Sequence, residues 1–237
     1  MAATSRVASA ARHVGLVAVA LFALGPLAIQ LGLASPFVGF RIFGIGLLAG
    51  MVALALGLVG LAATRASSGR AGRAQALTGL LLGAAVVACV AIAAGPGLGV
   101  PAINDLTTDP GDPPAFVDPA RGYTGEEFAR AQREAYPDLA PIRFEGTPDA
   151  AFAAALAAAG QLGWEVVRQD AEEGTFEATD TTAIFRFVDD VAVRVRPDGG
   201  AAKIDLRSKS RDGKGDLGAN AARIRAFRDA LATARSK

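Results

Sequence analysis

The polar residues best suited to chemistry are concentrated near the end of the chain, where a predicted strand runs into a glycine-rich loop. Two adjacent carboxylates, Asp189 and Asp190, interrupt the apolar strand FRFVDDVAVRV. After a short turn come the residues DLRSKSRDGKGDLGANAARIRAF, in which basic, hydroxyl and amide side chains alternate. Such side chains can bind an anion, pair with one another or coordinate a metal ion. The residues that we predict to bind a ligand are Asp189, Arg207, Ser208, Ser210, Arg211 and Asn220.

The turn at residues 197–200, Pro-Asp-Gly-Gly, allows the pairing of the last two strands to be predicted. A hairpin loop of two or four residues places Asp189 opposite Ser208 on the face that helices cover. Asp190 then lies opposite Arg207 on the other face, because successive strand residues point to opposite sides.

Two interpretations of Asp189 follow, because an unpaired carboxylate is costly to bury. In the structural one, the carboxylate pairs with a cation such as Arg211 or Arg223 and fixes the glycine-rich loop to the last helix. In the functional one, the six candidates line a pocket, and residues 212–218 offer backbone N–H groups to an anion beside a helix N-terminus. Asp216 counts against an anion there, because it is placed to cap that helix.

Other kinds of chemistry find little support. GKGDLG is neither a phosphate-binding Walker loop nor a dinucleotide fingerprint. The only histidine, His13, and the only cysteine, Cys89, lie in or beside apolar segments. As an alternative, Asp189, Asp216 and Asn220 could offer oxygen ligands to Mg²⁺ or Ca²⁺. We therefore predict no catalytic residue, no cofactor and no metal site.

The composition divides the chain into two halves. Residues 1–100 contain six arginines and no acidic residue, whereas residues 101–237 hold all 23 Asp and Glu. Three uncharged apolar runs, at 14–33, 42–63 and 76–94, are each long enough for a helix to cross about 30 Å of hydrocarbon. The sequence therefore predicts a membrane domain with three transmembrane helices. Nucleic acid is not an expected partner, because the remainder of the chain is acidic.

The arginines predict the orientation in the membrane. Arg6 and Arg12 precede the first run and three arginines separate the second from the third, whereas only Arg41 separates the first from the second. Because cytoplasmic segments attract Lys and Arg, we expect a cytoplasmic N-terminus and a periplasmic or extracellular C-terminal domain. Alternatively, the first run is a signal peptide cleaved near Ala34, which would leave the domain on the same side.

The rest of the chain predicts an α+β domain. Residues 101–146 read as a proline-rich linker with one short helix at 124–136, which a capping box at Thr124 and Glu127 would begin. Residues 147–237 predict a helix capped by Thr147, four strands and a final helix from about Asp216. The strands are expected at 164–169, 175–179, 184–196 and 201–210. We expect a two-layer fold, a four-stranded antiparallel sheet with helices packed on one face, in the order α-β-β-β-β-α.

Several segments together resemble a bacterial family known as domain of unknown function 1499. They are FRFVDDV at 185–191, RSKSR at 207–211 and LGAN at 217–220, preceded by VPAINDLTTDPGDPPAF, QREAYPDLAP, GWEVV and EATDTT. The sequence departs from the family pattern at Asn104, where histidine is common, at Lys209, where a small apolar residue is usual, and at Gly215, where serine is usual. The three membrane segments resemble the layout of longer members. The resemblance implies no reaction, cofactor or substrate.

Two functions remain open. The first is an uncharacterised, membrane-anchored binding or structural module at the bacterial inner membrane, working in cell-envelope upkeep. Its partners would be the lipid bilayer, an envelope or membrane protein, or a small anionic ligand. The alternative is a hydrolase or transferase acting on an envelope-derived anion, with Arg207 and Arg211 holding the charge and Asp189 as general acid or base.

Overall fold

A computed structural model describes residues 3–234 of the chain, which form two compact units. The first unit comprises the residues up to Pro96 together with Ala183–Arg186. The second comprises Gly97–Thr182 and the described residues from Phe187 onward.

The first unit is built from three long apolar helices, α1 (Arg6–Gln30), α2 (Pro36–Ala63) and α3 (Arg73–Ala94). All three are long and apolar enough to cross a membrane, as the sequence predicts. Glycines allow the backbones to approach closely: a Cβ on Gly46 would lie 2.4 Å from the backbone nitrogen of Phe22. Gly79 packs equally tightly against Ala11. Small residues are typical of such interfaces between membrane helices.

Four arginines of the first unit lie at the same end of the helix bundle. A short parallel bridge joins Thr4 to Ala71, so the beginning of α1 and the α2–α3 connection lie at one end of the bundle. Arg6, Arg65, Arg70 and Arg73 therefore share that end. Arg41 belongs to the other end, where its guanidinium lies 4.4 Å from the Phe37 ring centroid.

The second unit is an α+β domain with helices α4 (Glu126–Ala135), α5 (Pro148–Gln161) and α6 (Ala219–Ala234). Its described residues contain six strands rather than the four predicted. The strands are β1 (Asp105–Thr107), β2 (Ile142–Phe144), β3 (Glu165–Asp170), β4 (Thr175–Thr181), β5 (Val188–Asp198) and β6 (Ala201–Ser210). All pairs are antiparallel, in the order β1-β6-β5-β4-β3, with β2 also on β6.

The two unpredicted strands come from the proline-rich segment. β1 pairs with the last part of β6 and β2 with its first part, so both use the edge that the predicted sheet left open. Each has only three residues, too few for an alternating pattern to be recognised. The element order therefore becomes β-α-β-α-β-β-β-β-α instead of α-β-β-β-β-α. Thr124 does not cap α4, which begins after Gly125, because its hydroxyl donates to Asp105.

The β5–β6 pairing differs from the prediction by two residues. The turn is Gly199-Gly200, both with positive φ, and the strands continue to the pair Asp198–Ala201. Asp189 therefore lies opposite Ser210 rather than Ser208, and Asp190 lies opposite Lys209 rather than Arg207. A shift of two residues leaves every side chain on its predicted face.

Helices α5 and α6 cover one face of the sheet and enclose the core. The Thr147 hydroxyl caps α5 as predicted, accepting a hydrogen bond from Ala150 N. The Trp164 ring stacks on Phe227 of α6, with 5.4 Å between centroids. β5 begins at Val188 instead of Ile184, because Arg186 adopts φ 55° and interrupts the extended chain.

Candidate functional site

The candidate residues form two polar clusters on opposite faces of the sheet. The inner cluster lies under α6 and consists of Asp180, Asp189, Ser208, Ser210, Asn220 and Arg223. The outer cluster lies on the other face of the sheet. It consists of Asp105 and Arg121, from the segment 105–123, together with Asp190, Arg207, Lys209 and Arg211. Alternation along β5 and β6 causes this separation, since neighbouring residues of a strand point to opposite sides. Asp189 and Arg207 therefore do not meet.

Arg223 is the centre of the inner cluster. Its guanidinium donates to Asp189 Oδ2 at 2.7 Å and to Asp180 Oδ2 at 2.6 Å. It also donates to Ser208 Oγ at 2.9 Å and to Asn220 Oδ1 at 2.7 Å. Asp189 is 5% exposed, and this pairing supplies the cation that a buried carboxylate requires. Of the two cations considered for Asp189, the structure uses Arg223, and Arg211 lies on the other face.

Asn220 connects the inner cluster to the glycine-rich loop. Its Nδ2 donates to Ser210 Oγ at 3.0 Å, and its Oδ1 accepts from Ser208 Oγ at 2.6 Å. The carboxylate of Asp216 accepts from the backbone N–H groups of Gly218 and Asn220, at 2.9 and 2.8 Å. The N-terminus of α6 is therefore occupied by a side-chain carboxylate, which would repel an anion.

Arg207 is the centre of the outer cluster and is only 2% exposed. It forms a bidentate ion pair with Asp105, with both nitrogen–oxygen distances at 2.8 Å. The guanidinium carbon lies 4.7 Å from the ring centroid of Phe116 and 5.3 Å from that of Tyr123. Backbone carbonyls of Pro114, Arg121 and Gly122 accept its remaining N–H groups.

The Asp105 carboxylate accepts from three side chains. Besides Arg207 it binds Lys209 Nζ at 3.1 Å and Thr124 Oγ1 at 2.8 Å. Burial by itself would raise the pKa of Asp105. The hydrogen bonds and charge of Arg207, together with Thr124 and Lys209, outweigh that effect and bring the pKa below its usual value. The carboxylate therefore remains ionised in the folded protein.

Asp190 holds the remaining two arginines of the outer cluster. Arg211 Nη2 donates to it at 2.7 Å, and Arg121 Nη2 forms an ion pair with its Oδ2 at 2.5 Å. The hydrogen bond to Asp190 raises the pKa of Arg211 above its ordinary value. Every arginine and lysine of the outer cluster thus already has a carboxylate partner.

A groove of about 330 Å³ opens beside Arg207 on this face. Arg121 and Tyr123 both line it, and Arg121 Nε and Tyr123 Oη are buried without a hydrogen-bond partner among the described residues. Burial, followed by the charge of Asp105, raises the pKa of Tyr123, so its hydroxyl stays protonated. Arg194 Nε of β5, on the same face, is likewise buried without a hydrogen-bond partner in the described part of the chain. No group of three or more metal-ligating side chains occurs within residues 3–234.

Sequence reasoning missed several members of both clusters. Asp105 and Arg121 lie in the proline-rich segment, far in sequence from the strands they contact. Arg223 was considered only as a cation for Asp189. Its spacing of three residues from Asn220 places both side chains on one face of α6, and that pattern could have identified it.

A bundle of three long apolar helices followed by an α+β domain defines a membrane-anchored protein. The chain belongs to the family described as protein of unknown function (DUF1499), whose model matches residues 105–231. The matched region contains both polar clusters and all six strands. Among curated proteins, no sequence matches this chain.

Proposed function

We propose that the protein is a membrane-anchored binding or structural module whose second unit works outside the cytoplasm, in upkeep of the bacterial cell envelope. The observation that carries the proposal is the distribution of arginines in the first unit. The end of the bundle that holds Thr4 and Ala71 also holds four arginines, and Arg12 lies two turns into α1 from that end. The other end has Arg41 and, in the segment Ala183–Arg186 that contacts Gln30 and Phe40 there, Arg186. Such asymmetry favours a cytoplasmic location for the arginine-rich end.

The polar clusters support a structural role. Asp189, Ser208 and Asn220 are buried and bonded to one another or to Arg223, and Arg207 is saturated by Asp105 and backbone carbonyls. Buried polar groups that are fully paired define one arrangement of strands and helices. A hydrolase or transferase using Asp189 with Arg207 is disfavoured, because the two side chains lie on opposite faces of the sheet.

Cysteine labelling tests the orientation. In a Cys89→Ala background, single cysteines would replace Ser67, in the α2–α3 connection, and Leu33, in the α1–α2 connection. A third would replace Glu173, which is exposed in the second unit. A membrane-impermeant maleimide added to intact cells should label the cysteines at 33 and 173. The cysteine at 67 should react only after the membrane is opened. The reverse pattern would place the second unit in the cytoplasm and refute the proposal.

A second candidate function, binding of a small anionic ligand, is favoured by the unpaired donors of Arg121 and Tyr123 in the outer groove. Thermal unfolding of the purified chain would be followed with phosphorylated and carboxylated compounds. A ligand at 100 times its Kd should add about 2.7 kcal/mol to the free energy of unfolding.

Two variants make the ligand experiment specific. Arg121→Gln should abolish the stabilisation, whereas Arg133→Gln, which changes an exposed arginine paired with Glu126, should retain it. Equal ligand-induced shifts of the unfolding temperature in both variants would exclude the groove as the binding site. If no compound shifts the unfolding temperature, the polar clusters have a structural role only.

A further inference from the structure

We propose that Leu98 and the glycine-rich loop at residues 212–218, through Leu217, contact the lipid headgroup layer of the membrane that α3 crosses. The inference rests on the membrane anchorage in the proposed function but is independent of its orientation. It concerns the glycine-rich loop, for which the sequence predicts either anion binding or a structural role.

The distance from the membrane follows from the chain itself. α3 has 22 residues, about 33 Å of helix, close to the roughly 30 Å of bilayer hydrocarbon. Its last residue, Ala94, therefore lies near the hydrocarbon edge. The 3-10 turn Gly95–Gly97 follows and advances about 2 Å per residue. Gly97 is thus about 6 Å beyond that edge, and the headgroup layer is about 5–8 Å thick.

The glycine-rich loop is fastened to this same stretch of chain. Gly97 is in such close contact with Leu217 that a Cβ on the glycine would lie 2.6 Å from Leu217 Cβ. Farther along, Asn104 Nδ2 donates to the Gly213 carbonyl at 2.7 Å. Because these contacts lie within the second unit, they hold the loop beside the first residues after α3.

Leu217 is presented outward at a conformational cost. It adopts φ 53°, the left-handed region that residues other than glycine rarely occupy. Its side chain is nevertheless 59% exposed, and Leu98 is 70% exposed. The neighbouring Lys214 is exposed as well. Strain that holds an apolar side chain outward points to a function for that side chain. Exposed leucines fit the boundary between the hydrocarbon and the headgroup layer, where apolar side chains are favourable.

Depth-dependent fluorescence quenching tests the contact in the full chain. The chain would be reconstituted in phosphatidylcholine–phosphatidylglycerol vesicles containing a lipid with a nitroxide on its headgroup. Single cysteines would carry an environment-sensitive fluorophore at Leu98→Cys, Leu217→Cys or Glu173→Cys, each in a Cys89→Ala background. Glu173 is exposed in the turn before β4. The length of β4, roughly 20 Å, separates it from the end of the sheet at which the glycine-rich loop begins. Labels at 98 and 217 should lose much of their fluorescence to the nitroxide lipid and resist aqueous iodide, unlike the label at 173.

Two controls separate the outcomes. The native Cys89, exposed on α3, carries the label in the otherwise unchanged chain, and a nitroxide in the acyl chain should quench it. If it does not, the membrane anchorage itself fails. If Cys89 is quenched while positions 98 and 217 behave like 173, only the lipid contact is overturned. Leu217→Gly, which removes the strain, should unfold at an equal or higher temperature. A clearly lower unfolding temperature would mean that Leu217 serves packing, which also overturns the contact.

Discussion

Asp105 makes the second unit sensitive to acid. Its pKa is lowered in the folded protein, whereas in the unfolded chain an aspartate has a pKa of about 3.9. Because the folded pKa is the lower one, the ionised carboxylate contributes stability above about pH 4, and this contribution is lost as the pH falls through the folded value. The pKa values of Asp109 and Asp138 are also lowered, so they contribute to the same loss.

Asp105→Asn should therefore lower the free energy of unfolding at pH 7 by about 3–5 kcal/mol, since Arg207 stays buried without an opposite charge. Its stability should also fall less steeply than that of the unchanged protein below pH 4. Urea unfolding between pH 7 and pH 2 measures both effects. Asp138→Asn is the control: its exposed pair with Arg225 should be worth less than about 1 kcal/mol. Parallel curves for Asp105→Asn and the unchanged protein would contradict this role.

At the scale of the elements, helix α6 is attached to the sheet by Arg223 as well as by its apolar face. Arg223 reaches Asp189 and Asp180 on two neighbouring strands, whereas Arg225 on the same helix pairs with Asp138 at the surface. Arg223→Met should cost about 3–5 kcal/mol, because Asp189 loses its cation inside the protein. Arg225→Met should cost less than about 1 kcal/mol. Equal costs by urea unfolding would show that the inner cluster does not hold the helix.

Helices and strands could be predicted where neighbouring residues in the sequence determine them, and not where a contact with a distant segment does. The Thr147 cap identifies the start of α5 from adjacent residues, and β6 was predicted with its observed bounds, Ala201–Ser210. β1 and β2 could not be recognised, because pairing with β6, a long-range contact, is what makes these three-residue segments strands. The register error has a similar origin: Gly199-Gly200 and Asp198-Gly199 are both acceptable turns by composition.

The candidate site was predictable only in part, for the same reason. Alternation along β5 and β6 correctly separated Asp189 from Asp190 and Arg207. Nothing local indicated that Asp105, 102 positions away in sequence from Arg207, would neutralise that arginine. Arg207 therefore looked like a free anion ligand in the sequence, whereas in the folded protein it is one half of an ion pair.

At the scale of the whole molecule, each of the two units has its own packed interior. The folding of the second unit can be followed separately, through a single tryptophan. Trp164 is the only tryptophan of the chain, is 7% exposed and stacks on Phe227. Its fluorescence therefore reports the folding of the second unit alone. Far-UV circular dichroism, by contrast, is sensitive to α1, α2 and α3 as well.

We predict that urea unfolds the second unit of the detergent-solubilised chain while the membrane helices persist. Trp164 emission should shift to the red in one cooperative transition, while a large part of the helical dichroism remains, because the hydrocarbon-like micelle keeps the backbone hydrogen bonds of the apolar helices intact. Arg223→Met should move the fluorescence midpoint to lower urea and leave the residual dichroism unchanged. If fluorescence and dichroism were instead lost together at one midpoint, the two units would unfold as one. The polar clusters of the second unit would then stabilise the membrane bundle as well.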